Sequence, residues 1–228
     1  MHRFTKFDIA TAVAVLFHTI GLIGLLFFDK TFFLAATPIN LLLSFALLIW
    51  TQTNKNLFFF LFLIACFAVG IAVEIIGINT GLLFGDYTYG NVLGPKVQNV
   101  PLLIGVNWFL IIYCCGISIN TLLMKAINRI AADTGKNPMA LKALSVIIDG
   151  ATLAVFFDWL MEPVAVKLGY WQWLGNGEIP LLNYICWFLI SIILLFIFEK
   201  LAFSRQNKFA VNLLLIQAMF FLLLRTFL

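Results

Sequence analysis

Charge is scarce in this chain. Asp, Glu, Lys and Arg make up 11% of its 228 residues, whereas a soluble domain carries about a quarter. The scarcity excludes an ordinary globule, and along the chain no separate soluble domain, long linker or low-complexity tract is expected. Histidine is nearly absent too. With only His2, at the N-terminus, and His18, a bis-histidine haem is not expected, and no HxxxH, HxxE or DxxxD cluster offers metal-ligand spacing. Cys66, Cys114, Cys115 and Cys186 all fall inside apolar runs with no CxxC among them. They read as small buried hydrophobes, not as disulfides or metal ligands. The net charge of +4 does not point to nucleic acid, because in a membrane chain basic residues mark the cytoplasmic side.

What is present is apolar side chain: 63% of residues, with a mean hydropathy of +1.07. A spanning helix needs about 20 apolar residues. Seven segments qualify, at about 7–28, 33–51, 57–79, 100–127, 139–162, 180–200 and 208–227. Lipid leaves no backbone polar group unsatisfied and nothing alternates like a barrel strand, so the expectation is an all-α polytopic membrane protein, one integral domain over 1–228. Pro38, Pro101, Pro138 and Pro180 fall near helix starts, and Pro163 falls where the fifth helix is expected to stop. The first run is too long for a signal-peptide core and lacks a small-residue cleavage site, so it is expected to remain as a mature helix. A cytoplasmic N-terminus puts ten basic residues inside (Arg3, Lys6, Lys55, Lys125, Arg129, Lys136, Lys142, Lys200, Arg205, Lys208) against four outside (Lys30, Lys96, Lys167, Arg225). That bias favours N-in and C-out.

One stretch is written twice. Glu74…Gly85-Asp86-Tyr87-Thr88-Tyr89 aligns with Asp158…Gly169-Tyr170-Trp171-Gln172-Trp173 at a single offset of 84. Each copy continues into a Pro-started helix, Pro101 to Trp108 and Pro180 to Trp187, a spacing of seven in both, with the second loop five residues shorter. The pattern reads as an internal duplication of a helix pair, the third and fourth helices against the fifth and sixth, over about 57–127 and 139–200. Both aromatic loops then lie on one side of the membrane.

Ionisable groups inside a membrane are costly and ask for a reason. Glu74 lies near the end of the third helix, where Gly70, Glu74, Gly77 and Gly81 share one face. Small residues there let another helix or a ligand approach; the plainer alternative is a snorkelling or capping Glu. Asp158 and Glu162 are one turn apart on one face, and two carboxyls that close can hold one proton as a general acid. Glu162 abuts Pro163, where solvent is a competing explanation. Asp149 lies nearer mid-membrane, about half a turn out of phase with Asp158; it reads either as a structural hydrogen-bonding residue or as part of another wall. His18 reads as a hydrogen-bonded packing residue. Tyr87, Tyr89, Trp171 and Trp173 suit a membrane-interface belt, but their matched spacing from the acids also suits the wall of a site with a cationic intermediate. Trp108 and Trp187, two turns into the following helices, would complete it. Asn107 and Asn183 are polar groups able to position water.

The run Glu74…Gly81-Leu-Leu-Phe-Gly85-Asp-Tyr87-Thr-Tyr89…Leu93-Gly94…Val100-Pro101, followed by Asp158…Glu162-Pro163…Gly169-Tyr-Trp171-Gln-Trp173…Ile179-Pro180-Leu-Leu-Asn183…Trp187, resembles the membrane-embedded carotenoid hydratases. This is the family of bisanhydrobacterioruberin hydratase and of bacterial carotenoid 1',2'-hydratase. The likeness covers about 70–190, with Glu162-Pro163 where Asp-Pro is expected. It implies cofactor-free addition of water to the acyclic end group of a carotenoid such as lycopene or γ-carotene, giving a tertiary alcohol. It also implies a carotenoid drawn from the lipid bilayer as partner, and a bacterial or archaeal cell (inner) membrane as location. The residues match that chemistry: a carboxylic acid protonates the alkene, aromatic faces stabilise the cation, and a second carboxylate guides water. A carotenoid end-group cyclase starts from the same protonation and excludes water. A small-molecule transporter is the rival from another class, although the acids sit toward one face and not at the midplane. A rhodopsin needs a lysine deep in the last helix, and Lys208 is at its start.

Overall fold

The computed structural model describes residues 4–134 and 139–228. His2, Arg3, Lys136 and Pro138 lie outside the described residues. The helices are α1 (Lys6–Phe27), α2 (Lys30–Ala35), α3 (Thr37–Thr51), α4 (Leu57–Thr80), α5 (Leu103–Thr134), α6 (Met139–Lys167), α7 (Leu181–Lys200) and α8 (Lys208–Phe227). Counting α2 and α3 as one crossing, seven spans are long and apolar enough to cross a bilayer. The chain is an integral membrane protein of the expected all-α class. The second span differs from expectation by a break: Pro38 sits in the first turn of α3, so the chain restarts its helix there.

Local chemistry sets the ends. Thr5 and Asp8 form a reciprocal capping box at α1, and Asp29, Asn56 and Asn207 cap α2, α4 and α8 with side-chain oxygens. The fifth span overturns one expectation, since α6 does not stop at Pro163 but runs through it to Lys167. A proline inside a helix removes the N–H that would bond the carbonyl four residues earlier, here that of Trp159. Arg225 of α8 donates to that carbonyl through Nη1 at 2.7 Å, with its guanidinium 3.9 Å from the Trp159 ring. The extra turn therefore survives because another helix supplies the missing donor.

α5 is the central post. Its apolar stretch is 61% buried, more than any other span, and α3, α4, α6, α7 and α8 all contact it. The chain also holds short strands that a reading of spans does not foresee. β1 (Tyr87–Tyr89) pairs antiparallel with β4 (Trp171–Trp173), and β2 (Lys96–Val97) with β3 (Val100–Pro101). Gly90 N–H to Tyr170 O and Leu174 N–H to Asp86 O, both at 2.8 Å, extend the first ladder at its two ends. Gly90 is needed as glycine, because a Cβ there would collide with the Gly169 carbonyl. At the opposite end of the molecule a polar knot ties loops to helices. Tyr113 donates to Gln52 at 2.5 Å, Gln52 to the Ser204 carbonyl at 2.9 Å, and Arg205 to the Phe198 and Glu199 carbonyls at 2.9 Å.

Candidate functional site

The β1–β4 ladder brings the two aromatic stretches together, centred on Thr88 opposite Gln172, with Tyr87 facing Trp173 and Tyr89 facing Trp171. Alternation along a strand turns the outer residues of each triplet to one side, and that side meets the acids. Glu74 is buried on α4. Tyr87 and Tyr89 both donate to its Oε2, the latter at 2.9 Å, and Trp108 Nε1 donates to Oε1 at 3.1 Å. Gly70, one turn before Glu74, makes the last contact possible: a Cβ there would lie 2.6 Å from the Trp108 ring. Burial first, then the neighbouring Glu74 carboxyl, pushes both phenols well above their ordinary value, so Tyr87 and Tyr89 stay protonated donors.

The second acid group comes from α6. Glu162 Oε2 accepts from Trp171 Nε1 at 3.0 Å and Trp173 Nε1 at 3.1 Å. Asn183 of α7 donates through Nδ2 to Asp158 Oδ2 at 2.8 Å and, more weakly, to Glu162 Oε1 at 3.4 Å. Asp158 is fully buried, and its Oδ1 has no hydrogen-bond partner among the described residues. By chain offset Asp158 is the counterpart of Glu74; by hydrogen bonding Glu162 is. The cause is local. α4 ends at Thr80 and six irregular residues precede β1, whereas α6 continues to Lys167 and three residues precede β4. The aromatic pair therefore reaches an acid one turn further along the helix.

Glu74, Asp158, Glu162, Tyr87, Tyr89, Trp108, Trp171, Trp173, Trp187, Asn107 and Asn183 line one cavity of about 20 Å³. Trp108 and Trp187 stack against each other in its wall, centroids 4.0 Å apart and 14° from parallel. Asp149 does not belong there; it is exposed on another face of α6. Nine residues at 100° each turn it half a revolution away from Asp158, so its place in a catalytic set is corrected. Solvent does not explain Glu162 either, because the turn beyond Pro163 and the two indoles bury it at 3% exposure. Among the described residues no three His, Cys, Asp or Glu side chains group as a metal site.

The cavity adjoins a larger apolar groove of about 240 Å³, and the two share Ile104, Asn107, Met161 and Trp171 in their walls. The groove runs among α1, α2, α3, α6 and α8, with Phe17, Ile20, Phe32 and Ile39 both lining it and exposed. These helices lie largely outside the Glu74–Trp187 stretch that carries the sequence motifs, and the sequence reading missed the groove. Its signal was the isolated polar residues Asn40 and Gln217 in otherwise apolar runs.

Comparison with known proteins gives two findings. A family model described as carotenoid biosynthesis protein matches residues 32–228. The bisanhydrobacterioruberin hydratase of Haloarcula japonica is 29% identical over 143 residues, 60% of this chain. The match covers 43% of that relative's length, so the chain spans less than half of the curated protein it resembles. No solved structure matches. With the family model covering most of its length, the chain belongs to the carotenoid biosynthesis protein family.

Proposed function

We propose that this protein is a carotenoid hydratase that adds water to the terminal double bond of an acyclic end group, of lycopene or γ-carotene type, by proton transfer and without a redox cofactor. The observation that carries the reading is the joined pair of spaces: an apolar groove open toward lipid, ending at a buried cavity with three carboxyl groups and facing aromatic rings. A cavity of about 20 Å³ admits about one water molecule. The end group would stop where the two spaces meet, at Ile104, Asn107, Met161 and Trp171.

Asp158 is the proton donor in this scheme. Its Oδ1 is the carboxyl oxygen, among those of the three acids, that is buried and unpartnered, so a proton carried there is free to transfer. The proton goes to the less substituted alkene carbon, and the positive charge falls on the tertiary carbon. Trp171 at the junction and Tyr89 in the cavity wall, whose rings meet edge-on at 5.9 Å, offer aromatic faces that stabilise that charge. Water then adds to the tertiary carbon, and its departing proton passes to Glu74. Tyr87, Tyr89 and Trp108 fix the Glu74 carboxylate for that task. One proton leaves the protein and one returns, so alkene plus water gives a tertiary alcohol with no net change in the protein. The proton then returns from Glu74 to Asp158 through water in the cavity that both acids line, which resets the donor.

Expression in a lycopene-accumulating host tests the reading. Pigment mass should rise by one water per reacted end. A new isomer of unchanged mass would make the protein a cyclase, and unchanged pigment would leave the groove to a transport or binding role. The same reading places the chain in a bacterial or archaeal cell membrane with its N-terminus cytoplasmic.

A further inference from the structure

Three polar side chains in the groove wall do no work in the scheme above. His18 and Gln217 are each more than nine-tenths buried, and Asn40 has a buried, unpartnered Oδ1. All three line the groove. They come from α1, α3 and α8, which contact one another. His18 lies nine residues before the end of α1 at Phe27, Asn40 ten residues after Lys30, and Gln217 ten residues before the end of α8 at Phe227. At 1.5 Å per residue these separations are all about 14–15 Å, measured from the helix ends on the aromatic-ladder side. The three groups therefore form a polar belt at one depth around an apolar passage. Thr37 and Tyr170, also in the wall, hydrogen-bond each other at 2.9 Å, and Asn107 stands apart from the belt, where the groove meets the cavity.

An amide left without a partner, or an imidazole with one ring nitrogen unmet, is costly away from water, and packing alone would favour Leu or Phe at these positions. The donor and acceptor inventory indicates what they await. His18 Nδ1 meets the Ala14 carbonyl at 2.8 Å, so Nδ1 is the donor there, and in a neutral imidazole Nε2 carries a lone pair. Asn40 Oδ1 is a second acceptor. The Gln217 amide makes no side-chain hydrogen bond within the described residues and offers both a donor and an acceptor. A ketone oxygen would leave the two acceptors unmet. An alcohol, which donates once and accepts as well, suits both sides.

We propose that His18, Asn40 and Gln217 form a second, alcohol-binding subsite, so that the substrate drawn into the groove is a polyene that already bears a hydroxyl group away from the reacting alkene. This rests on the hydratase reading for what happens at the acids, but not for the binding itself. The test uses the purified full-length protein in detergent with two acyclic carotenoids of equal chain length, one a hydrocarbon and one bearing a tertiary hydroxyl. Retained pigment and hydrated product are both measured. The hydroxylated polyene should be retained and turned over with at least about tenfold preference. Gln217→Leu and, independently, Asn40→Leu should bring both ratios to within about twofold, and either variant suffices if the other does not fold. Equal retention of the two carotenoids by the parent protein would overturn the subsite, as would a preference that survives both substitutions. Selective retention of the alcohol with no hydration of either compound would uphold the subsite and count against the hydratase reading.

Discussion

Glu74 is held by three donors, each on a different residue, and this defines its role more sharply than its burial does. Glu74→Gln keeps the shape but replaces one carboxylate oxygen with an amide nitrogen that cannot accept. Either the two phenols, which share Oε2, or the Trp108 indole, on Oε1, then loses its acceptor. We expect hydration to fall roughly a hundredfold, as for loss of a general base, with the protein still inserted in the membrane; product formation in isolated membranes measures it. Tyr89→Phe removes one of two donors to Glu74 Oε2 and should cost less, about tenfold. Because burial and the adjacent carboxyl hold both phenols above their ordinary value, rising pH does not deprotonate them below about pH 10. An alkaline fall in rate that begins below pH 10 should therefore persist in Tyr89→Phe. If it disappears, the phenol is the titrating group. At this scale the sequence was informative. An acid in an apolar run demands an explanation, and the matched aromatic spacing pointed to partners. It could not separate Asp158 from Glu162, because the choice of acid depends on how far α6 continues past Pro163, and Arg225 decides that from the other end of the chain.

At the scale of elements, the extra turn of α6 and the β1–β4 ladder are the two devices that close the cavity. Each rests on a contact remote in sequence. Arg225→Leu leaves the Trp159 carbonyl without its donor and removes the cation from the Trp159 ring. The loss should be about 1 kcal/mol, seen as a lower midpoint of thermal unfolding in detergent. Pro163→Ala restores an N–H for that carbonyl, so the double variant should recover part of the loss. If Arg225→Leu unfolds at the parent temperature, the Arg225 contact does not support the turn. In the ladder, Gly90→Val forces a side chain onto the Gly169 carbonyl and should open the cavity, with loss of activity and of indole burial by fluorescence. The ladder was legible only in part. Tyr-x-Tyr and Trp-x-Trp carry the period of two that strands require, yet three residues are too few to stand out beside seven long apolar runs.

For the whole molecule, the spans were readable because lipid imposes one length and one composition on each of them. The groove was not, since its walls come from α1, α3 and α8, whose apolar residues look the same whether they face lipid, a neighbouring helix or a polyene. The basic-residue bias predicts an aromatic ladder that faces away from the cytoplasm. All four cysteines are buried, so a single Asn176→Cys gives a clean site beyond β4. A membrane-impermeant thiol reagent should label it in intact cells, and labelling only after the inner face is opened would invert the topology. The proposed hydration turns on Asp158 giving its proton to the alkene. The most direct measurement is the hydration rate of Asp158→Asn beside the parent protein, at equal amounts of membrane-inserted protein and with a substrate that the parent hydrates. The substitution keeps size and a polar group at Asn183 but removes the transferable proton, so hydration should fall roughly a hundredfold or more; hydration at the parent rate would rule out Asp158 as the proton donor.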